Sequence, residues 1–130
     1  QQQQTYVTNL CHSSGSVHVF ENESQLDTIT PYIGSGPAYI FEIAAILIDD
    51  LTQQGINRQR ATVMVTDMIK GAAELMDKSD DAPEILRNNV TSKGGVTAAV
   101  LNTLKKHNLE QSFHEALQQG LKKNAELNDS

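Results

Sequence analysis

Apolar residues recur at helical spacing along most of the chain. From Ala38 to Leu51 the sequence is apolar on nearly every side, and only Glu42, Asp49 and Asp50 interrupt it. A helix of this kind has to be surrounded by protein, and a domain of 130 residues offers little that can surround it. We therefore expect a second chain to cover one of its faces, and the pattern predicts a dimer.

Four further helices are predicted after the apolar one, which ends before Gly55. A long amphipathic helix follows the N-cap Asn57. Asp81, Pro83 and Glu84 supply the cap, the early proline and the N3 acid of a short helix. The last two are amphipathic helices near the C-terminus. The predicted core-facing residues of these four helices are Ala61, Met64, Val65, Met68, Ala72, Leu75, Met76, Ile85, Leu86, Val90, Val96, Val100, Leu101, Leu104, Leu109, Phe113, Ala116, Leu117, Leu121 and Leu127.

The first 30 residues follow a different pattern. A short helix is predicted from Gln3 to Cys11, and Val17 to Phe20 is a brief β-prone run. An isolated strand is not stable, so we expect this segment to be the end of an α/β domain whose earlier strands are missing here. Ser24, with Asp27 three residues later, is the predicted N-cap of the next helix.

Composition narrows the possible functions. The net charge of -6, the pI near 5.0 and the scattered Lys and Arg residues argue against a nucleic-acid surface. Cys11 is the only cysteine, which suits a reducing cytoplasm, and the four histidines lack metal-ligand spacing, so no metal site is predicted. The longest dense apolar run, Ile43 to Ile48, is far shorter than the roughly 20 residues of a membrane span. We expect a soluble, cytoplasmic protein with no membrane or nucleic-acid partner.

The stretch from Val90 to Thr97 predicts a small anion site where a helix begins. Gly94 and Gly95 let the backbone approach a ligand closely. The N–H groups of the first helical turn, together with the hydroxyls of Ser92 and Thr97, can hold a carboxylate or a phosphate. The same residues are also common in a simple cap and turn, and both interpretations stay open on this pattern alone.

An earlier glycine pair does not match a nucleotide-binding loop. Gly34-Ser35-Gly36 begins like a dinucleotide fingerprint, but the third glycine position is occupied by Tyr39 and no clear strand precedes it. Spacing also suggests no Ser/His/Asp set, and Cys11 has no neighbouring cation. We therefore expect no self-sufficient catalytic apparatus and no cofactor-binding residues in this chain.

Two motifs carry a resemblance to a known family. They are Gly34-Ser35-Gly36-Pro37-Ala38-Tyr39, and Leu86-Arg87 followed by Val90-Thr91-Ser92, Gly94-Gly95 and Thr97. With both motifs in this order, the chain resembles the C-terminal domain of pyrroline-5-carboxylate reductase from Val17 to Ala125. The resemblance implies an all-α, interleaved-dimer domain over residues 24–130, like the C-terminal domain of 6-phosphogluconate dehydrogenase. Residues 1–23 would then be the last helix and strand of a Rossmann domain.

The resemblance also implies a reaction, the reduction of 1-pyrroline-5-carboxylate to L-proline in proline biosynthesis. The cofactor, NADPH or NADH, would be bound mainly by the missing Rossmann domain, so this chain alone would be inactive. Carried over by position, Ser92, Gly94, Gly95 and Val96 would bind the substrate carboxylate through hydroxyl or N–H donors. Thr97 would be the catalytic residue, with its hydroxyl near the ring nitrogen. The expected partner is a second copy, and such dimers can assemble further.

Three departures from the family pattern bear on these roles. Lys93 stands where proline is most common, which makes the loop less rigid but adds a cation. Val96 replaces a frequent threonine, and Pro31-Tyr32-Ile33 is bulkier than the usual small residues. None of them removes Thr97 or the glycines. The alternative from another functional class is a non-catalytic, reductase-like module that serves as a dimerisation scaffold.

Overall fold

The computed structural model describes residues 2–13 and 15–128, and all the regular secondary structure in these residues is helical. The all-α prediction is therefore confirmed. The helices are α1 (Gln2–His12), α2 (Glu23–Ile29), α3 (Gly36–Gln53), α4 (Arg58–Lys78), α5 (Pro83–Asn89), α6 (Val96–Lys106) and α7 (Leu109–Asn128), and a π-helical turn (Thr30–Gly34) joins α2 to α3.

The predicted strand at Val17 to Phe20 does not form. These residues have no regular secondary structure, whereas the predicted helix before them is present as α1. The reason is that a strand needs a neighbour for its backbone hydrogen bonds, and the described residues contain no other strand. The division at residue 23 into a Rossmann remnant and a helical domain stays a prediction.

Three local signals around α3 and α4 act as predicted. Pro37 lies in the first turn of α3, and Gly55, with φ of +91°, follows its end. The Asn57 side chain caps α4 by accepting hydrogen bonds from the N–H groups of Gln59 at 3.0 Å and Arg60 at 3.3 Å. The sequence therefore places both ends of the α3–α4 connection correctly.

Two predicted caps are wrong. Asn22 stands at the N-cap of α2, and Ser24 lies inside the helix, where its carbonyl accepts the Thr28 hydroxyl at 2.9 Å. Ala82 stands at the N-cap of α5, and the N–H of Asp81, two residues before the helix, donates to the Ser79 hydroxyl oxygen at 3.1 Å. In both places a neighbouring residue takes the position, and neither cap residue makes a side-chain bond.

The predicted core is exposed in the single chain. α3 packs against α4, and α7 packs against α2, the π-helical turn and α6. Among the described residues only Pro31, Ala61 and Val65 are buried. The apolar stripes lie on the helices as predicted, but most of their side chains are exposed in the single chain. The core predictions that are exposed are Met64, Met68, Ala72, Leu75, Met76, Ile85, Val90, Val96, Val100, Leu104, Leu109, Phe113, Ala116 and Leu127.

The helical stretch Glu23–Gln53 is long and apolar enough, by length and composition alone, to cross a membrane. The sequence argument considered only the dense run from Ile43 to Ile48 and so missed this property of the whole helix. A helix in the core of a soluble protein meets the same criteria, and this one is almost entirely unburied within the chain.

The connection between α2 and α3 is held by α7. In the π-helical turn the Ser35 N–H donates to the Thr30 carbonyl at 3.0 Å, and the Tyr39 hydroxyl donates to the Pro31 carbonyl at 2.7 Å. Gly120 of α7 lies directly against Pro31. We call the turn and this contact the α2–α3 joint.

Candidate functional site

The segment from Val90 to Thr97 connects α5 to α6. The Thr91 N–H donates to the Asn88 carbonyl at 3.0 Å, and the Thr91 hydroxyl donates to the Arg87 carbonyl at 2.6 Å. Both donors of Thr91 thus close the end of α5. The ligand-binding capacity of the segment therefore belongs to the residues after it.

The next four residues form a tight turn. The Gly95 N–H donates to the Ser92 carbonyl at 3.0 Å, and Gly94 adopts φ of +73°, a conformation that favours glycine. A Cβ atom on Gly95 would collide with the Ser92 hydroxyl and lie 3.2 Å from the Ser92 carbonyl oxygen. Each glycine is required by the turn, for a different reason. The Gly95 N–H is hydrogen-bonded within the turn, so the donors open to a ligand are those further into α6, and the predicted substrate role of Gly95 stays a prediction.

The first turn of α6 is uncapped. Gly95 is the N-cap and makes no side-chain cap bond, and the first helical bond runs from the Ala99 N–H to the Gly95 carbonyl at 3.1 Å. Within the described residues no acceptor faces the N–H groups of Val96, Thr97 and Ala98. These three parallel donors, at the positive end of the helix dipole, can hold a carboxylate or phosphate.

The Thr97 hydroxyl is also without a partner in the part of the chain that the structure describes, and its side chain is half-buried. Thr103, one and a half turns further along α6, donates its hydroxyl to the Ala99 carbonyl at 2.9 Å. Thr97 has no such carbonyl, because the residue four positions earlier, Lys93, lies in the turn before the helix. Its hydroxyl is therefore free to bind a ligand beside the three N–H groups.

The side chains around these donors leave the site open on the single chain. Val96 is 83% exposed, and Ser92 and Lys93 are exposed. Lys93 takes part in none of the ion pairs found among residues 2–13 and 15–128. The five predicted site residues (Ser92, Gly94, Gly95, Val96 and Thr97) thus lie together, with one unpaired cation at the turn.

Two grooves near or opposite the site were not predicted. One, of about 410 Å³, lies between α5, α6 and α7 and includes Arg87, Asn102 and Lys105 beside Thr91. The residues of this groove come from three helices and have no common spacing, so no sequence signal points to them. The other, of about 330 Å³, is almost wholly apolar and separates α3 from α7; it is lined by Tyr39, Glu42, Ile43, Ile46, Leu109, Phe113, Ala116 and Leu117.

The earlier glycine pair has a geometry that does not fit a nucleotide. Gly34 ends the π-helical turn and Gly36 begins α3, so the pair lies between two helices. A dinucleotide loop instead joins a strand to a helix, and its glycines face the pyrophosphate. The Gly34–Gly36 segment therefore lacks the geometry of such a loop.

Comparison with known proteins identifies the family of this chain. Residues 23–127 match the family described as pyrroline-5-carboxylate reductase dimerisation. The chain is 32% identical to a pyrroline-5-carboxylate reductase of Staphylococcus haemolyticus over 121 residues, which are 93% of this chain and 44% of that protein. It is 31% identical to pyrroline-5-carboxylate reductase 1 of Bacillus spizizenii, over 88% of this chain and 38% of that one.

Solved structures give the same result. The chain superposes on pyrroline-5-carboxylate reductase of Coxiella burnetii with a TM-score of 0.90 and 30% identity, covering 98% of this chain and 47% of that one. For the NADP-bound pyrroline carboxylate reductase of Plasmodium falciparum, the TM-score is 0.88 and the identity is 31%. The match covers 95% of this chain and 47% of that one. The chain spans less than half the length of the relatives it matches.

Proposed function

Because this chain belongs to the pyrroline-5-carboxylate reductase dimerisation family, we propose that it is the C-terminal, substrate-positioning part of such a reductase. The reaction is the NAD(P)H-dependent reduction of 1-pyrroline-5-carboxylate to L-proline in proline biosynthesis. One observation carries the proposal: the unpaired donors at the start of α6 lie inside the matched range 23–127. They suit a small substrate that carries a carboxylate next to a polar ring nitrogen.

In this proposal the substrate carboxylate accepts hydrogen bonds from the free N–H groups of the first α6 turn. Gly94 and Gly95 allow the carboxylate to come close, and Ser92 adds a hydroxyl at the edge of the turn. The Thr97 hydroxyl then binds at the ring nitrogen, where it orients the imine and stabilises charge that develops during reduction. This chain's contribution is positioning.

The reductant, NADPH or NADH, is held outside this chain, because the Gly34–Gly36 segment does not fit a nucleotide. A relative from Plasmodium falciparum has NADP bound in its structure. We place residues 1–23 with that nucleotide-binding part and residues 24–130 in the helical domain. The proposed location is the cytoplasm, without a nucleic-acid or membrane partner.

A second copy of the chain covers the apolar surface in this proposal. α3 and the groove between α3 and α7 expose a continuous set of large apolar side chains: Ile40, Phe41, Ile43, Ile46, Leu47, Leu109 and Phe113. Full burial of one such side chain contributes roughly 1.5–3 kcal/mol. A homodimer, able to assemble further, supplies the core that one chain lacks.

The test is a Thr97→Val variant of the complete protein, with Thr103→Val as its matched control. We expect Thr97→Val to lower kcat/KM for 1-pyrroline-5-carboxylate by roughly 100-fold, because it removes one preorganised donor from the reacting centre. Thr103→Val makes the same change on α6 but removes a hydroxyl that only bonds to the Ala99 carbonyl, so activity stays near that of the parent. NAD(P)H absorbance measures both, and equal turnover by Thr97→Val contradicts the role of Thr97.

The scaffold alternative draws on the family match, whose description names dimerisation, and it is tested by comparing two lengths of chain. The 130-residue chain and the protein extended upstream of Gln1 are each assayed for NAD(P)H oxidation with 1-pyrroline-5-carboxylate. We expect activity in the extended protein alone. Activity in neither favours the scaffold, and activity in the short chain contradicts the placement of the nucleotide.

A further inference from the structure

The α2–α3 joint is held by a close contact with α7. Pro31 is one of the three buried residues, and a Cβ atom on Gly120 would lie 3.1 Å from the Pro31 Cβ and 3.7 Å from its Cγ. The first distance is shorter than most Cβ contacts in proteins, so a side chain at position 120 requires the neighbour to move by a few tenths of an ångström. Glycine allows α7 to approach the π-helical turn this closely.

The same face of α7 also holds α2. Asn124 Nδ2 donates to the Asp27 carbonyl at 3.2 Å, and Asn128 Nδ2 donates to the Asp27 carboxylate at 2.8 Å. Gly120, Asn124 and Asn128 are spaced by four residues and therefore form one stripe on α7. This stripe fixes both the turn at one end of α2 and the body of α2 itself.

The direction of α2 matters because α2 links two parts of the protein. In chain order, the residues before Glu23 precede the joint, and α3 to α7, with the site at the start of α6, follow it. The relatives are matched over their C-terminal part and are more than twice as long as this chain. The direction of α2 therefore sets the direction in which the chain before Glu23 leaves the helical domain.

We propose that Gly120 is a positioning residue: its contact with Pro31 sets the angle of α2, and thereby places the upstream part of the protein over the α6 site. The inference rests on the proposed reductase function for its activity readout. α2 has seven residues and a length of about 10 Å, so a small rotation at the joint is enlarged at its far end. A displacement of about 1 Å between reacting groups lowers the rate roughly 100-fold.

The experiment uses the complete protein with Gly120→Ala and Gly120→Val, and with Gly71→Ala as the matched control. Gly71 is a helical glycine of α4 with no atom of the described chain within 4 Å of its added Cβ. We expect kcat to fall about tenfold for Gly120→Ala and roughly 100-fold for Gly120→Val. KM for 1-pyrroline-5-carboxylate should change less than about threefold, because the α6 donors are untouched. Gly71→Ala should leave both constants unchanged.

A second readout does not depend on activity. Cys11 is exposed on α1, upstream of the joint, and is the only cysteine of this chain. Nitroxide labels on Cys11 in the two protomers, in a protein freed of any upstream cysteines, report the direction of α2 by their separation. We expect that separation to shift in both Gly120 variants and not in Gly71→Ala, with the dimer and its helix content preserved.

Unchanged kcat together with unchanged label separation in Gly120→Val overturns the proposal. If that variant does not fold, Gly120→Ala, which adds only a Cβ atom 3.1 Å from the Pro31 Cβ, decides instead, and a label separation and kcat equal to those of the parent overturn the proposal. If the parent protein lacks reductase activity, the proposed function fails, while the label separations still decide whether Gly120 sets the joint.

Discussion

Replacing Phe41 on α3 by aspartate tests whether the exposed apolar surface is an interface between two copies. Phe41 is 70% exposed in the single chain. It lies in the middle of the apolar helix, within the range that matches the dimerisation family. We expect Phe41→Asp to abolish dimerisation and, with it, stable folding, because the single chain buries so few side chains.

The magnitude follows from the exposed area. A phenylalanine side chain buries about 150–250 Å², so covering the exposed 70% removes roughly 100–170 Å² from water. At about 25 cal/mol per Å² this amounts to about 3 kcal/mol for each Phe41. A two-fold interface contains the residue twice, so the loss is about 6 kcal/mol and the dimer Kd rises roughly 10⁴-fold. Desolvation of the new carboxylate adds to the loss.

The assay is sedimentation equilibrium over a range of concentrations, with circular dichroism on the same samples. Tyr6→Asp is the matched control, since Tyr6 is also a 70% exposed aromatic residue but lies outside the matched range. We expect the parent and Tyr6→Asp to be helical dimers and Phe41→Asp to be monomeric with reduced helix content. A Phe41→Asp dimer of unchanged Kd, or a parent chain that is a compact folded monomer at micromolar concentration, refutes the reasoning.

Two further predictions concern the ends of α4 and α6. Asn57→Ala removes the bonds to the N–H groups of Gln59 and Arg60, and we expect a loss of about 1 kcal/mol in urea unfolding at fixed protein concentration; an unchanged midpoint contradicts the capping role. Gly95→Ala forces Ser92 away and opens the turn before α6. We expect KM for 1-pyrroline-5-carboxylate to rise about tenfold, which corresponds to a loss of about 1.4 kcal/mol of binding free energy. An unchanged KM shows that the turn does not shape the site.

Local signals predicted the helices well because they act over a few residues. Pro37 and Asn57 were placed correctly, since each acts within one turn of its own helix. The N-cap of α2 was misplaced at Ser24. Asn22, two residues earlier, has the extended backbone conformation of an N-cap and takes that position. Such errors shift a helix end by a residue or two and leave the fold class unchanged.

Burial could not be predicted in the same way. The spacing of Val96, Val100 and Leu104 identifies an apolar stripe, but spacing does not say whether the covering surface belongs to the same chain. The π-helical turn was also missed, and so was its contact with α7, which is distant in sequence: Gly120 lies against Pro31, and Asp27 and Asn128, which tie α2 to α7, are 101 residues apart. Long-range contacts of this kind leave no periodic signal.

The candidate site was predictable because it is continuous in sequence. The glycines, Ser92 and Thr97 lie within a few residues of each other, so their grouping required no knowledge of the fold. The sequence does not show which N–H and hydroxyl groups of this segment are already hydrogen-bonded within the chain. Only the structure shows that the Thr91 hydroxyl and the Gly95 N–H are bonded within the segment, whereas the Thr97 hydroxyl is not.

The hydrogen bonds from α7 to α2 can form only late in synthesis of the chain. Asp27 leaves the ribosome 101 residues before Asn128. At a translation rate of roughly 5–20 residues per second, about 5–20 s pass between the synthesis of α2 and that of the end of α7, which fixes its direction. The upstream domain of the proposed reductase can fold within that interval, but its orientation is set only after α7 has been synthesised. Nascent chains that lack α7 would therefore carry an upstream domain that is folded and not yet oriented.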